Sequence, residues 1–254
     1  MPVLPFAERL GVEPFLTPRT LELLTGLHRH HLQRVNHSIS GTELASLPLY
    51  QLIQKTYQNS AHARLHHYAS QAWNMDFWLQ GLTPASGYRE PLPVLRQAIE
   101  RDFGSWDAFV EQFGTNAEAM VASGWTWLVK RPSSGRLAIL NTYNGGSPMH
   151  VTMRNPLAPR ESPESGLSAM LGLKRPASSD GGVAPFGSAA AAGSSGPAGD
   201  GSSGEGGDAL VPVLGLNMWE HAWIQDYGLF KEEYIRTFWK CVNWSRVAVI
   251  LNIY

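Results

Sequence analysis

The sequence predicts an α+β fold: an N-terminal antiparallel helical hairpin, then a C-terminal α/β domain with a three-stranded antiparallel sheet. Three observations carry this. Apolar residues recur at helical spacing through the first two predicted elements. The period then changes to alternation on either side of a Pro-Ser-Ser-Gly turn, within SGWTWLVKRPSSGRLAILNTY, which reads as a β-hairpin. A further strand-like run, VPVLGLNMW, stands before a helix-rich tail, EEYIRTFWKCVNWSRVAVILN.

The first helix is expected over 17–37, with Thr17 as cap, Pro18 at the first helical position, and Leu21, Leu24, Leu27 and Leu32 on one face. A polar connection, Asn36 to Pro48, leads to a second helix expected from Leu49 to Leu82 and stopped by Gly81 and Pro84. Two helices joined by a short loop predict the hairpin. Shorter helices are expected over 91–103 and 105–120, with Ser105 as a cap and Asp107 at the positive end of the helix dipole. The expected division is 1–84 for the hairpin and 85–254 for the α/β domain, interrupted at about 151–209. Within that interruption, Pro176 to Asp208 is mostly Gly, Ala and Ser. Such a stretch buries too little apolar surface to offset its ordering entropy, so it reads as a disordered insertion.

Composition narrows the function. Twenty basic and 21 acidic residues leave a formal net charge of −1, without the basic excess of a protein that wraps nucleic acid. A peripheral place in a nucleoprotein assembly stays open. The lone cysteine, Cys241, lies among Phe238, Trp239 and Trp244 and is expected to be buried and inert. No apolar run reaches the ~18 residues of a membrane span, and no secretory signal is visible. The sequence holds no GxSxG elbow, no GxGxxG after a strand and no phosphate loop.

Several blocks, in order, resemble the iron/manganese superoxide dismutases. VLPFAERLGVEPFLTPRTLE is similar to that family's N-terminal segment, and ASQAWNMDFW to its motif AAQVWNHTFYW. FGSWDAFVEQF and SGWTWLV match its central blocks, NMWEHAWIQDY resembles DVWEHAYYIDY, and YIRTFWKCVNW resembles its closing block. The resemblance implies a metal held by three histidines and one aspartate, with an open position for a small anion.

Carried over residue by residue, that ligand set is degenerate. The first ligand position falls on Leu24 when aligned by the helix cap, or on Gly26 when aligned by the downstream histidine pair. The second falls on Met75, whose thioether suits copper(I) better than iron or manganese. The third falls on Asn217, and only the fourth, His221, is retained. The family's gateway tyrosine falls on Leu32 or Arg34, while Gln71 matches the glutamine that hydrogen-bonds metal-bound solvent. The resemblance also implies that Glu220, beside His221, reaches across a dimer axis; an internal buried pair is the other reading. Elsewhere, His28, His30 and His31 cluster, and His62 and His66 share a helix face near His67, but no spacing such as HExxH makes a relocated site. Asp76 cannot replace its neighbour Met75, because adjacent helical positions point ~100° apart.

The expectation is therefore a protein that is not an enzyme and carries no cofactor. It resembles the superoxide dismutase-like proteins of the fungal mitochondrial small ribosomal subunit. That implies a mitochondrial matrix location, a heterodimer with a paralogous chain of the same fold, other small-subunit proteins as neighbours, limited rRNA contact and no membrane. The alternatives are a divergent dismutase with a rebuilt metal site, and a free-standing binding protein using its apolar interdomain cleft.

Overall fold

The computed structural model describes residues 4–150 and 209–253, and the expected insertion at about 151–209 lies outside them apart from Ala209. Helix α1 (Pro18–Ile39) starts where expected, with the Thr17 hydroxyl accepting from the Thr20 N–H, and it buries Leu21, Leu24, His28, His31, Val35 and Ile39 on one face.

The single helix expected from Leu49 to Leu82 is two helices, α2 (Leu49–Thr56) and α3 (Ala63–Gln80). Local bonds break it. The Thr56 hydroxyl donates back to the Leu52 carbonyl at 2.8 Å, Gln58 takes a left-handed φ of 56°, and Asn59 Oδ1 accepts from Ala61 N–H at 3.0 Å. Such side-chain bonds to the backbone compete with the helical ladder. Apolar periodicity alone does not register them.

Helices α4 (Pro93–Phe103) and α5 (Trp106–Glu118) are separated by Gly104, at φ 89°, and by the Ser105 cap, whose hydroxyl accepts from Ala108 N–H at 3.0 Å. Strands β1 (Gly124–Lys130), β2 (Leu137–Tyr143) and β3 (Val211–Asn217) form the expected antiparallel sheet in the order β2-β1-β3. Trp127 faces Gly215 across the β1–β3 pair. A Cβ at residue 215 would stand 2.8 Å from the indole, so only glycine admits this tryptophan. The β1–β3 register slips between Leu128 and Val129, beside Pro212, a residue with no N–H for the ladder.

The tail is helix α6 (Ile224–Tyr227), α7 (Lys231–Phe238) and α8 (Trp244–Leu251). It is interrupted where Val242 bridges to Leu82 and Asn243 caps the last helix. Cys241 is fully buried as expected, and burial pushes its thiol up to about 11. One apolar core joins α1, α3, α4, α5, the sheet, α7 and α8, and a smaller one gathers Val35, Ile39, Leu52, Ile53, Leu65 and Ala69. Among the described residues, no helix is long and apolar enough to cross a membrane.

Asp102 ties α4 to the β1–β2 hairpin. Its side chain is almost fully buried and accepts from Arg101 at 2.6 Å, Arg136 at 2.8 Å and the Leu137 N–H at 2.7 Å. Burial pulls its pKa upward, but Arg101, the Leu137 amide and Arg136 together hold the carboxyl below its usual range. A lowered carboxylate pKa stabilises the fold above the unfolded value of ~4, and that stability is lost as pH falls through the folded value. Asp102→Ala should therefore cost about 1–3 kcal/mol in urea denaturation at pH 7, with the deficit shrinking below about pH 4.

Candidate metal centre

Of the four positions that the resemblance assigns to metal ligands, Met75 and Asn217 touch each other, Leu24 lies in the same apolar core cluster, and His221 follows Asn217 in the turn after β3. The start of α1 is fixed from outside the helix. Asp226 in α6 accepts from Thr17 N–H at 2.9 Å and from the hydroxyls of Thr17 and Thr20 at 2.6 and 2.7 Å. About two turns on, Leu24 is fully buried in the same core cluster as Met75 of α3. Gly26 is half-buried on the outer side, where it lines an open groove of about 600 Å³ with Arg19, Leu23, His30 and Gln225. Leu24, not Gly26, is thus the inward-facing alternative.

Asn217 ends β3, opposite Trp125 of β1, and is fully buried. Its amide nitrogen donates to the Met75 sulfur at 3.9 Å, and its Oδ1 accepts from the Trp219 N–H at 2.9 Å. Its backbone carbonyl accepts from the buried Tyr234 hydroxyl at 2.6 Å. The surrounding wall is aromatic. Trp125 donates to Gln71 Oε1 at 3.2 Å and meets Trp78 edge-on at 6.2 Å. Phe15 stacks on Tyr234 at 4.8 Å and meets Trp78 at 6.4 Å. Gln71 keeps a structural partner in Trp125.

His221 sits in the Glu220–Ala222 turn with its ring stacked on Trp219 at 5.4 Å. Its Nε2 is buried without a hydrogen-bond partner, and burial lowers its pKa against the pull of Glu220. Glu220 itself is exposed and accepts from the Ser123 hydroxyl at 2.6 Å, so it is not half of an internal buried pair. Ser123 was not singled out from the sequence; its place in the SGW block is the signal that could have found it.

The histidines divide. Burial, then the imidazoles of His67, His30, His221 and His28, push His31 down to about 4. His66 instead pairs with the hydroxyls of Thr56 at 3.1 Å and Ser70 at 3.4 Å, close to Tyr57 and His150. At the expected gateway position, Leu32 is half-buried and Arg34 is exposed with its guanidinium over the Tyr68 ring at 5.6 Å. Among the described residues, no group of three or more His, Cys, Asp or Glu side chains is placed to hold a metal ion.

The profile of the family described as iron/manganese superoxide dismutases, C-terminal domain, matches residues 91–159 and 200–249. The chain is 30% identical over 246 residues to the iron superoxide dismutase of Legionella pneumophila, covering 96% of this chain and 94% of that one. It is 29% identical to the iron superoxide dismutase of Photobacterium leiognathi, covering 98% and 96%, and 28% identical to that of Escherichia coli K12, covering 98% and 95%. These relatives are enzymes across nearly the whole length of the match. They overturn the expectation that the chain is not an enzyme, because its resemblance to enzymes spans the entire fold.

The residues present do not fit the iron that the relatives' names imply. A hydrocarbon (Leu24), a thioether (Met75), a carboxamide already committed to two hydrogen bonds (Asn217) and one imidazole (His221) make a poor donor set for that ion. Ancestry and donor chemistry disagree at this one place.

The buried imidazoles carry a pH dependence. His31 is neutral in the fold, so its contribution is complete above the unfolded pKa of about 6.5 and is lost as pH falls toward about 4. The melting temperature should drop between pH 6.5 and 4.5, and His31→Gln should flatten that slope in a pH series of thermal melts.

Proposed function

This chain belongs to the iron/manganese superoxide dismutase family, and we propose that it uses the fold for assembly. In this reading it pairs with a paralogous chain of the same fold and takes a place in the mitochondrial small ribosomal subunit, in the matrix. Other small-subunit proteins are its neighbours, and rRNA contact is limited, in keeping with a net charge of −1. Location and assembly rest on the resemblance of the sequence blocks.

The observation that carries the proposal is an apolar surface around Glu220. Val121 is 97% exposed, Leu229 89%, Phe230 67% and Ile224 48%. Three hydrogen bonds join segments that carry them. Ser123 holds Glu220 beside the Val121 loop, and Lys231 donates to the carbonyls of Glu118 at 3.1 Å and Met120 at 2.6 Å, which brings Phe230 to the same loop. Exposed apolar residues on segments joined in this way favour a protein–protein contact. Glu220, with its exposed carboxylate, and His221 lie within it as the proposed dimer contact.

Affinity purification of the full chain from mitochondria should recover small-subunit ribosomal proteins together with one paralogous partner. Leu229→Glu with Phe230→Glu should weaken that recovery at least about tenfold, while changing the melting temperature by only a few degrees. Recovery of the chain alone, or solely as a homodimer, overturns the assembly reading.

Superoxide dismutation is the second reading, favoured by the relatives at 28–30% identity. Under it the purified chain carries stoichiometric iron or manganese, and His221→Ala removes both the metal and the dismutase activity.

A further inference from the structure

We propose that the three exchanged ligand positions are a co-adapted set that has turned the metal pocket into closed core, with Asn217 and Met75 as a matched pair. The argument starts from what a buried carboxamide needs. Asparagine brings a carbonyl acceptor and two N–H donors into a dry site, and an unpartnered donor there is destabilising. The Asn217 carbonyl is taken by the Trp219 N–H, which leaves the amide nitrogen, and the Met75 sulfur stands 3.9 Å from it. A thioether is a weak acceptor that carries no charge and packs as a hydrophobe. It is suited to a neutral carboxamide and poorly suited to a carboxylate, which would bring a buried charge and no N–H. The exchanges at 217 and 75 therefore support each other, and Leu24 adds apolar volume to the same core cluster.

What remains of the pocket is its wall. Gln71 still accepts from Trp125, and Tyr234 still donates to the backbone carbonyl of residue 217, a bond indifferent to the side chain there. The Trp219 N–H needs an acceptor that a carboxylate at 217 supplies as well as a carboxamide does. His221 Nε2 remains buried and unpartnered. One nitrogen cannot hold an ion. The wall that would position three more donors is intact, so returning those donors should reopen the site.

The test uses the full chain expressed with manganese or iron. The native chain should purify with far less than one ion per chain. Leu24→His, Met75→His and Asn217→Asp combined should take up about one manganese per chain and melt higher when loaded. Adding His221→Ala should remove both effects. Native protein that retains stoichiometric iron or manganese, lost on His221→Ala, overturns the proposal, as does a folded triple variant that binds no more metal than the native chain. If the triple variant does not fold, a cycle of Met75→Leu and Asn217→Ala decides instead. The double variant should lose clearly less melting temperature than the sum of the singles, and additive losses overturn the pairing. The proposal stands apart from the assembly reading, since a missing ribosomal partner leaves metal content and the cycle unchanged.

Discussion

Asn217 is the residue at which three parts of this structure are fastened to one another. Its carbonyl anchors Tyr234 of α7, its Oδ1 holds the turn that leads to His221, and its amide nitrogen reaches Met75 of α3. Only the last of these bonds depends on its being an asparagine. The first is made by the backbone, and the second needs only a side-chain oxygen. The residue thus holds the helices against the sheet whether or not the cleft between them holds an ion, which gives a physical route by which the fold outlasts its donor set.

The same separation of architecture from chemistry runs through the rest of the cleft. The start of α1 is pinned by Asp226 through Thr17 and Thr20, in bonds to which the Leu24 side chain contributes nothing. The aromatic wall of Phe15, Trp78, Trp125 and Tyr234 is held by ring contacts and by two hydrogen bonds, none of which uses a metal. In most folds built around an ion, part of the folding energy is binding energy. Here Asn217 partners Met75 and Gln71 partners Trp125, while His221 Nε2 has no partner, and the imidazoles of His28, His31 and His221 are held below their ordinary pKa chiefly by burial.

Full-length similarity to iron superoxide dismutases and a mismatched donor set are therefore compatible observations about different parts of the sequence. Identity of 28–30% is spread over nearly the whole chain. The metal site is four side chains. A comparison over some 250 residues weighs those four lightly, whereas ligand chemistry weighs them alone. The surface around Glu220 sits between the two, since its apolar exposure belongs to this chain's own residues at Val121, Leu229 and Phe230.

The sequence alone determined the class of fold, the three-stranded antiparallel sheet, the caps at Thr17 and Ser105 and the identity of the side chains at 75, 217 and 221. These are properties of residue type and short-range spacing, which local physical chemistry governs. The tertiary structure decided what lies several elements apart in the chain. It chose Leu24 over Gly26, because the direction of a helix face is set by what the helix packs against. It broke the helix expected from Leu49 to Leu82 through the Thr56, Gln58 and Asn59 bonds, which apolar periodicity does not register. It turned Glu220 outward to Ser123 and brought Asn217 to Met75, 142 residues apart in sequence, because only a folded sheet against a folded helix places those atoms within reach of each other.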